Sequence, residues 1–122
     1  MKKILLIEDD TIITKILVFL LRKEGFEIHT ANDGNQGIEK IKEIIPDLII
    51  TDIKLPYKSG LEITAFSKFH YPKIPVIVVS VLGKEDRTVA EAYELGVDKL
   101  IAKPFNPEEL IATIKGFLQC IA

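Results

Sequence analysis

Residues 46–60 read PDLIITDIKLPYKSG. The apolar run Leu48-Ile49-Ile50 ends in Thr51-Asp52, and a loop marked by Pro56 and Gly60 follows. A short run without polar alternation reads as a strand buried on both faces. Two other runs have the same shape. Ile4-Leu5-Leu6-Ile7 ends in Glu8, Asp9 and Asp10, and Leu100-Ile101-Ala102 ends in Lys103-Pro104. Open parallel sheets place their sites beyond the carboxyl ends of strands. Carboxylates and one ammonium are therefore expected at a single sheet edge. Acids gathered this closely repel one another unless a cation lies among them.

Strand-like and helix-like segments alternate outward from this stretch. Strands are expected over 3–8, 26–31, 47–52, 75–80 and 97–102, and helices over 11–24, 35–45, 59–69, 84–95 and 107–120. Gly25 and Gly96 stand where helix C-terminal glycines belong. Asn32-Asp33-Gly34 reads as a turn with a capping side chain, and Asn106-Pro107-Glu108-Glu109 supplies an N-cap, a first-turn proline and first-turn acids. Asp10 or Thr11 is expected to cap the first helix. Five β-α units are too few for a closed eight-stranded barrel. A doubly wound open α/β sheet is the expected class, with right-handed crossovers.

With 122 residues, the chain fits one domain over 1–122. It is 48% hydrophobic and 28% charged, with a net charge of -2, which provides no electrostatic footprint for nucleic acid. The single cysteine, Cys120, cannot form an internal disulfide, which suits a reducing cytoplasm. The opening apolar run is too short for a signal peptide. The longest one, Ile16 to Leu21, is far below the ~20 residues that span a bilayer.

If Glu8, Asp9 and Asp52 converge, their hard oxygens suit Mg²⁺ or Mn²⁺. Lys103 would supply a counter-charge or a phosphoryl contact, and Ser80, ending Pro75-Val76-Ile77-Val78-Val79, a hydroxyl donor. Together they offer a cation slot, a nucleophilic carboxylate and two phosphoryl ligands, which is what acyl-phosphate chemistry requires.

The segments LLIEDD, PDLIITDIKLPYKSG, PVIVVS and KLIAKPF occur in this order and at a spacing that resembles the CheY-like response-regulator receiver domains. The resemblance implies a flavodoxin-like (βα)5 fold with strand order 2-1-3-4-5. It implies that Asp52 accepts a phosphoryl group from a sensor histidine kinase or phosphotransfer protein. Glu8 and Asp9 would hold Mg²⁺, with the Lys54 backbone carbonyl as a further ligand. Ser80 would be the switch hydroxyl and Lys103 the phosphate-contacting lysine. Lys103-Pro104 becomes a candidate cis bond, and Gly60 matches the glycine beyond the phosphoacceptor loop. Such a chain signals by protein contact or onward phosphotransfer, turns over no separate substrate, and binds neither nucleic acid nor membrane.

Some positions depart from the pattern the resemblance leads one to expect. Leu100 stands where a Tyr or Phe is common, and Val81 where Ala or Gly is usual. Lys54 and Leu82 occupy positions that tune phosphoryl lifetime in the family. The first helix is apolar nearly all round. Ile13, Ile16, Leu17 and Leu20 read as its core stripe, leaving some of Ile12, Val18, Phe19 and Leu21 towards solvent. Ile12, Ile16, Phe105 and Leu100 are candidates for a partner-docking face. Tyr93 reads as a packing residue, and His29 and His70 as surface or loop residues. Three other readings are weaker. A phosphohydrolase would need a lid, and a flavodoxin-type carrier a phosphate-cradling loop in place of Glu8-Asp9-Asp10. A pseudo-receiver would lack site residues that are all present here.

Overall fold

The computed structural model describes residues 1–81 and 86–118. Leu82 and Cys120 lie outside the described residues. The strands are β1 (Lys3–Ile7), β2 (Glu27–Ala31), β3 (Leu48–Asp52), β4 (Val76–Ser80) and β5 (Lys99–Ala102). Between and after them come α1 (Thr11–Lys23), α2 (Gly34–Ile44), α3 (Gly60–His70), α4 (Asp86–Glu94) and α5 (Pro107–Leu118). All four strand pairs are parallel, in the order β2-β1-β3-β4-β5.

Alternation along the strands builds two cores. Ile4, Leu6, Ile50 and Val79 point to the face covered by α1 and α5. Leu5, Ile7, Ile49 and Val78 point to the face shared by Ile41 of α2, Ile63 of α3 and Ala92 of α4. Successive strand side chains point to opposite faces, so a run that is apolar throughout must be covered on both sides.

The caps form as the side chains dictate. Asp10, rather than Thr11, caps α1, its Oδ1 accepting from the amides of Ile12 and Ile13 at 2.9 and 3.1 Å. Asp33 accepts from Gln36 at 2.8 Å, and Asn106 from Glu108 at 2.8 Å. Gly25 and Gly96 adopt φ of +92° and +102°, a left-handed backbone that favours glycine.

The core stripe of α1 differs from the sequence expectation. Leu17 and Leu21 are buried, with Ile13 and Val18 packed beside them, whereas Ile16 is half exposed. The inward row therefore runs 13, 17, 21, one residue every four. Leu20 and Leu21 are both leucine, so apolar character alone could not distinguish that row from 13, 16, 17, 20.

Gly60 fixes the level of the β3 end. Its amide donates to the Ile53 carbonyl at 2.8 Å, and a Cβ at this position would lie 2.0 Å from the Asp52 carbonyl oxygen. Backbone meeting backbone cannot relax as a flexible side chain could. Gly60→Ala is expected to cost more than the ~3 kcal/mol typical of core overpacking, read as a lowered urea midpoint.

Candidate functional site

Four strands deliver the site. Glu8 follows β1, Asp52 ends β3, and Lys103 follows β5. The register sets Asp52 beside Val79 and Ser80 beside Ala102, so β4 brings Ser80 to the same edge. The Lys103 amide donates to the Ser80 carbonyl at 3.0 Å, and the peptide bond from Lys103 to Pro104 is cis.

The Lys103 ammonium lies between two acids, donating to Glu8 Oε1 at 2.9 Å and Asp52 Oδ2 at 2.8 Å. The other oxygens are engaged by backbone. Asp52 Oδ1 accepts from the Ile53 amide at 2.7 Å, and Glu8 Oε2 from the Asp10 amide at 3.2 Å. Asp9 is exposed and completes a group of three carboxylates, each offering an oxygen within 4.8 Å of the others. A cleft of about 280 Å³ opens over them, lined also by Lys54, Ser80 and Val81.

Glu8 is 5% exposed. Its burial raises its pKa above the usual carboxylate value, outweighing the hydrogen bonds from Lys103 and the Asp10 amide. Burial also works against the charge on Lys103. The hydrogen bonds to Asp52 and Glu8, with their negative charge, more than offset it and hold the ammonium above its ordinary pKa. Four acids, Glu8, Asp9, Asp10 and Asp52, line the cleft against two lysines, Lys54 and Lys103, so the edge keeps an excess of negative charge. That donor set, all carboxylate oxygen with one open face, fits a hard divalent cation.

A family model described as the response regulator receiver domain matches residues 4–115. The chain belongs to this family. It is similar to a CheY-like response regulator receiver domain protein from Methanospirillum hungatei, with 32% identity and a TM-score of 0.92 over 98% of this chain and 94% of that one. It is also similar to a two-component response regulator from Clostridium difficile, at 28% identity and a TM-score of 0.92, covering 98% of each chain. The signal receiver domain of a signal transduction histidine kinase from Syntrophus aciditrophicus matches at 27% identity and a TM-score of 0.90, over 99% of this chain and 92% of that one. The receiver thus has the five-stranded flavodoxin-like fold expected from its sequence.

The structure brings Glu8, Asp9, Asp52, Lys54, Ser80 and Lys103 around one cleft. It divides the docking candidates. Ile16 and Phe105 line a separate apolar groove of about 390 Å³ with Ile13, Leu17, Val81 and Pro107, and Ile12 lies exposed on the same helix. Leu100 is not with them, because it packs into the core on the opposite sheet face. Its amide donates to the hydroxyl of Tyr93, a half-exposed residue near the end of α4, at 3.2 Å. His70 is exposed beside Phe66 and Phe69, and half-buried His29 pairs with Glu27 at 2.6 Å. Val81 borders both the carboxylate cleft and the apolar groove. The sequence signalled only its bulk. Its double position depends on how the chain leaves β4.

The raised pKa of Glu8 has a measurable sign. An unfolded chain releases this proton at the ordinary carboxylate pKa, and the folded chain only at a higher pH. Between these two values the folded state binds more protons, so stability falls as pH rises through that window. Glu8→Gln cannot ionise. It is expected to remove that fall and to raise the neutral-pH Tm in metal-free buffer, as read from thermal melts between about pH 4 and pH 8. A lower neutral-pH Tm would contradict the assignment.

Proposed function

We propose that this receiver accepts a phosphoryl group on Asp52 from a phosphohistidine of a sensor histidine kinase or phosphotransfer protein. The reading rests on one observation: the Asp52 carboxylate faces an open cleft, held by Lys103 and flanked by Glu8 and Asp9. A carboxylate oxygen of Asp52 attacks phosphorus, and a P–O bond forms as the P–N bond to the donor imidazole breaks. With its other nitrogen protonated, the ring departs as neutral imidazole. Lys103 then meets a phosphoryl oxygen as a point charge, and the Ser80 hydroxyl donates to another. Asp9, Asp52 and the Lys54 backbone carbonyl would hold Mg²⁺ directly, with Glu8 acting through water. The ion would neutralise the acids and the negative charge of the transferring group.

The chain is a phosphoacceptor that assists its own phosphorylation and dephosphorylation, and no separate substrate is turned over. It works in the cytoplasm, passing its signal by protein contact or onward phosphotransfer. Among the described residues no helix is long and apolar enough to cross a membrane. The donor's helical bundle docks on the groove of Ile13, Ile16 and Phe105, which opens beside Lys103.

Acetyl phosphate with Mg²⁺ is expected to give an acid-stable, base-labile mass adduct, lost in Asp52→Asn and suppressed by EDTA. An adduct that survives Asp52→Asn would refute the assignment. Ile16→Asp is expected to slow transfer from a phosphohistidine bundle about tenfold, equivalent to ~1.4 kcal/mol, with an unchanged circular dichroism spectrum. Quenched-flow transfer rates measure it.

A further inference from the structure

Helix α1 has two flanks, and the apolar groove beside Lys103 uses only one. On the other flank, between α1 and the edge strand β2, runs a second groove of about 660 Å³. Thr14, Val18 and Thr30 line it together with the exposed side chains of Lys15, Phe19, Arg22 and Lys23. The two grooves share no residue.

The exposed α1 residues among them have a definite pattern. Lys15, Phe19 and Arg22 fall at positions one, five and eight of a helical stripe, with Lys23 adjoining. Cation, aromatic and cation thus follow one another over about 10 Å of helix axis. Phe19 is 63% exposed, although it is a large apolar ring in a water-facing position. The Lys23 ammonium lies 5.7 Å from its centroid. Cations in a last turn complement the helix dipole, which accounts for the charge of Arg22 and Lys23. It does not account for an exposed ring set between them and Lys15.

The surroundings strengthen the contrast. Among the described residues no carboxylate lines the groove itself, Glu8 and Asp9 lying in an adjoining cavity that shares Thr14, Lys15 and Thr30, and α1 carries no acid, in a chain of net charge -2. Glu24, just past the helix, is engaged by Lys115 of α5. Glu27 pairs with His29 on the other face of β2, opposite the Thr30 face.

We propose that this groove docks an acidic amphipathic helix of a partner protein. Such a helix presents an apolar side chain to Phe19 and Val18 and acids, seven residues apart, to Lys15 and Arg22. A helix laid in a groove is read through anchors at that spacing. Complementary charge would orient the helix and speed its arrival. This contact does not require phosphorylation at Asp52 and stands apart from the reading of that site.

The test uses the full chain, labelled with ¹⁵N, and a synthetic helix-forming peptide with Glu at i and i+7 and Leu at i+3 and i+4. Amide shifts are expected at Lys15, Phe19, Arg22, Lys23 and Thr30. Affinity is expected to fall about tenfold in Phe19→Ala/Arg22→Glu and to decline with salt. Arg22→Gln, a milder change on an exposed position, is expected to weaken binding in the same direction with an unchanged Tm. Four results would overturn the proposal. A scrambled peptide of identical composition binds as well. The shifts centre on Ile13 and Phe105. Inorganic pyrophosphate moves the same amides more strongly. Dilution alone moves them, which would make a second copy of the chain the occupant.

Discussion

The site depends on one ammonium held by two carboxylates. Lys103 reaches Glu8 and Asp52 at hydrogen-bond distance, across 95 and 51 residues of sequence. No local segment creates that arrangement. It needs β1, β3 and β5 in one parallel sheet with their carboxyl ends level, and the order 2-1-3-4-5 provides this by placing β1 and β3 side by side, with β4 and then β5 beyond. Truncating Lys103 would leave two facing carboxylates without their counter-charge, which costs more than the ion pairs themselves contribute. The pairs also leave the edge short of positive charge. The same packing that satisfies Lys103 therefore keeps Glu8 poorly disposed to ionise and the cleft receptive to a hard cation.

Helix α1 shows how one element serves the core and two surfaces. Its row of Ile13, Leu17 and Leu21 faces the core, with the two leucines buried and Ile13 partly so. Ile16 faces the loop after Lys103, and Phe19 the edge strand β2. Ordinary surface helices turn a polar back to water. Here exposed Ile16 and Phe19 line two different grooves, one beside Lys103 and the other against the edge strand β2.

The strand ends were legible in the sequence because each combined a short apolar run with an acid, hydroxyl or lysine. Asp52, Ser80 and Lys103 could be placed at the edge from composition and spacing. The resemblance to receivers supplied the strand order and the cis bond, which periodicity could not. Other features were hidden for definite reasons. Two adjacent leucines concealed the inward row of α1. Leu100 lies three residues before Lys103 in sequence, yet strand alternation turns it to the sheet face opposite the one that Phe105 packs against. Val81 borders two grooves only because of the path taken at the end of β4, and a one-dimensional pattern does not record that path.

The hydrogen bond from the Leu100 amide to the Tyr93 hydroxyl has a consequence for how the sheet meets other chains. β5 is an outer strand, and an outer strand offers unpaired amides as a template for further pairing. The phenol oxygen occupies one of those amides. An incoming strand would have to displace it before its ladder could form. Tyr93, which reads as simple packing, thereby covers an amide that an added strand would need.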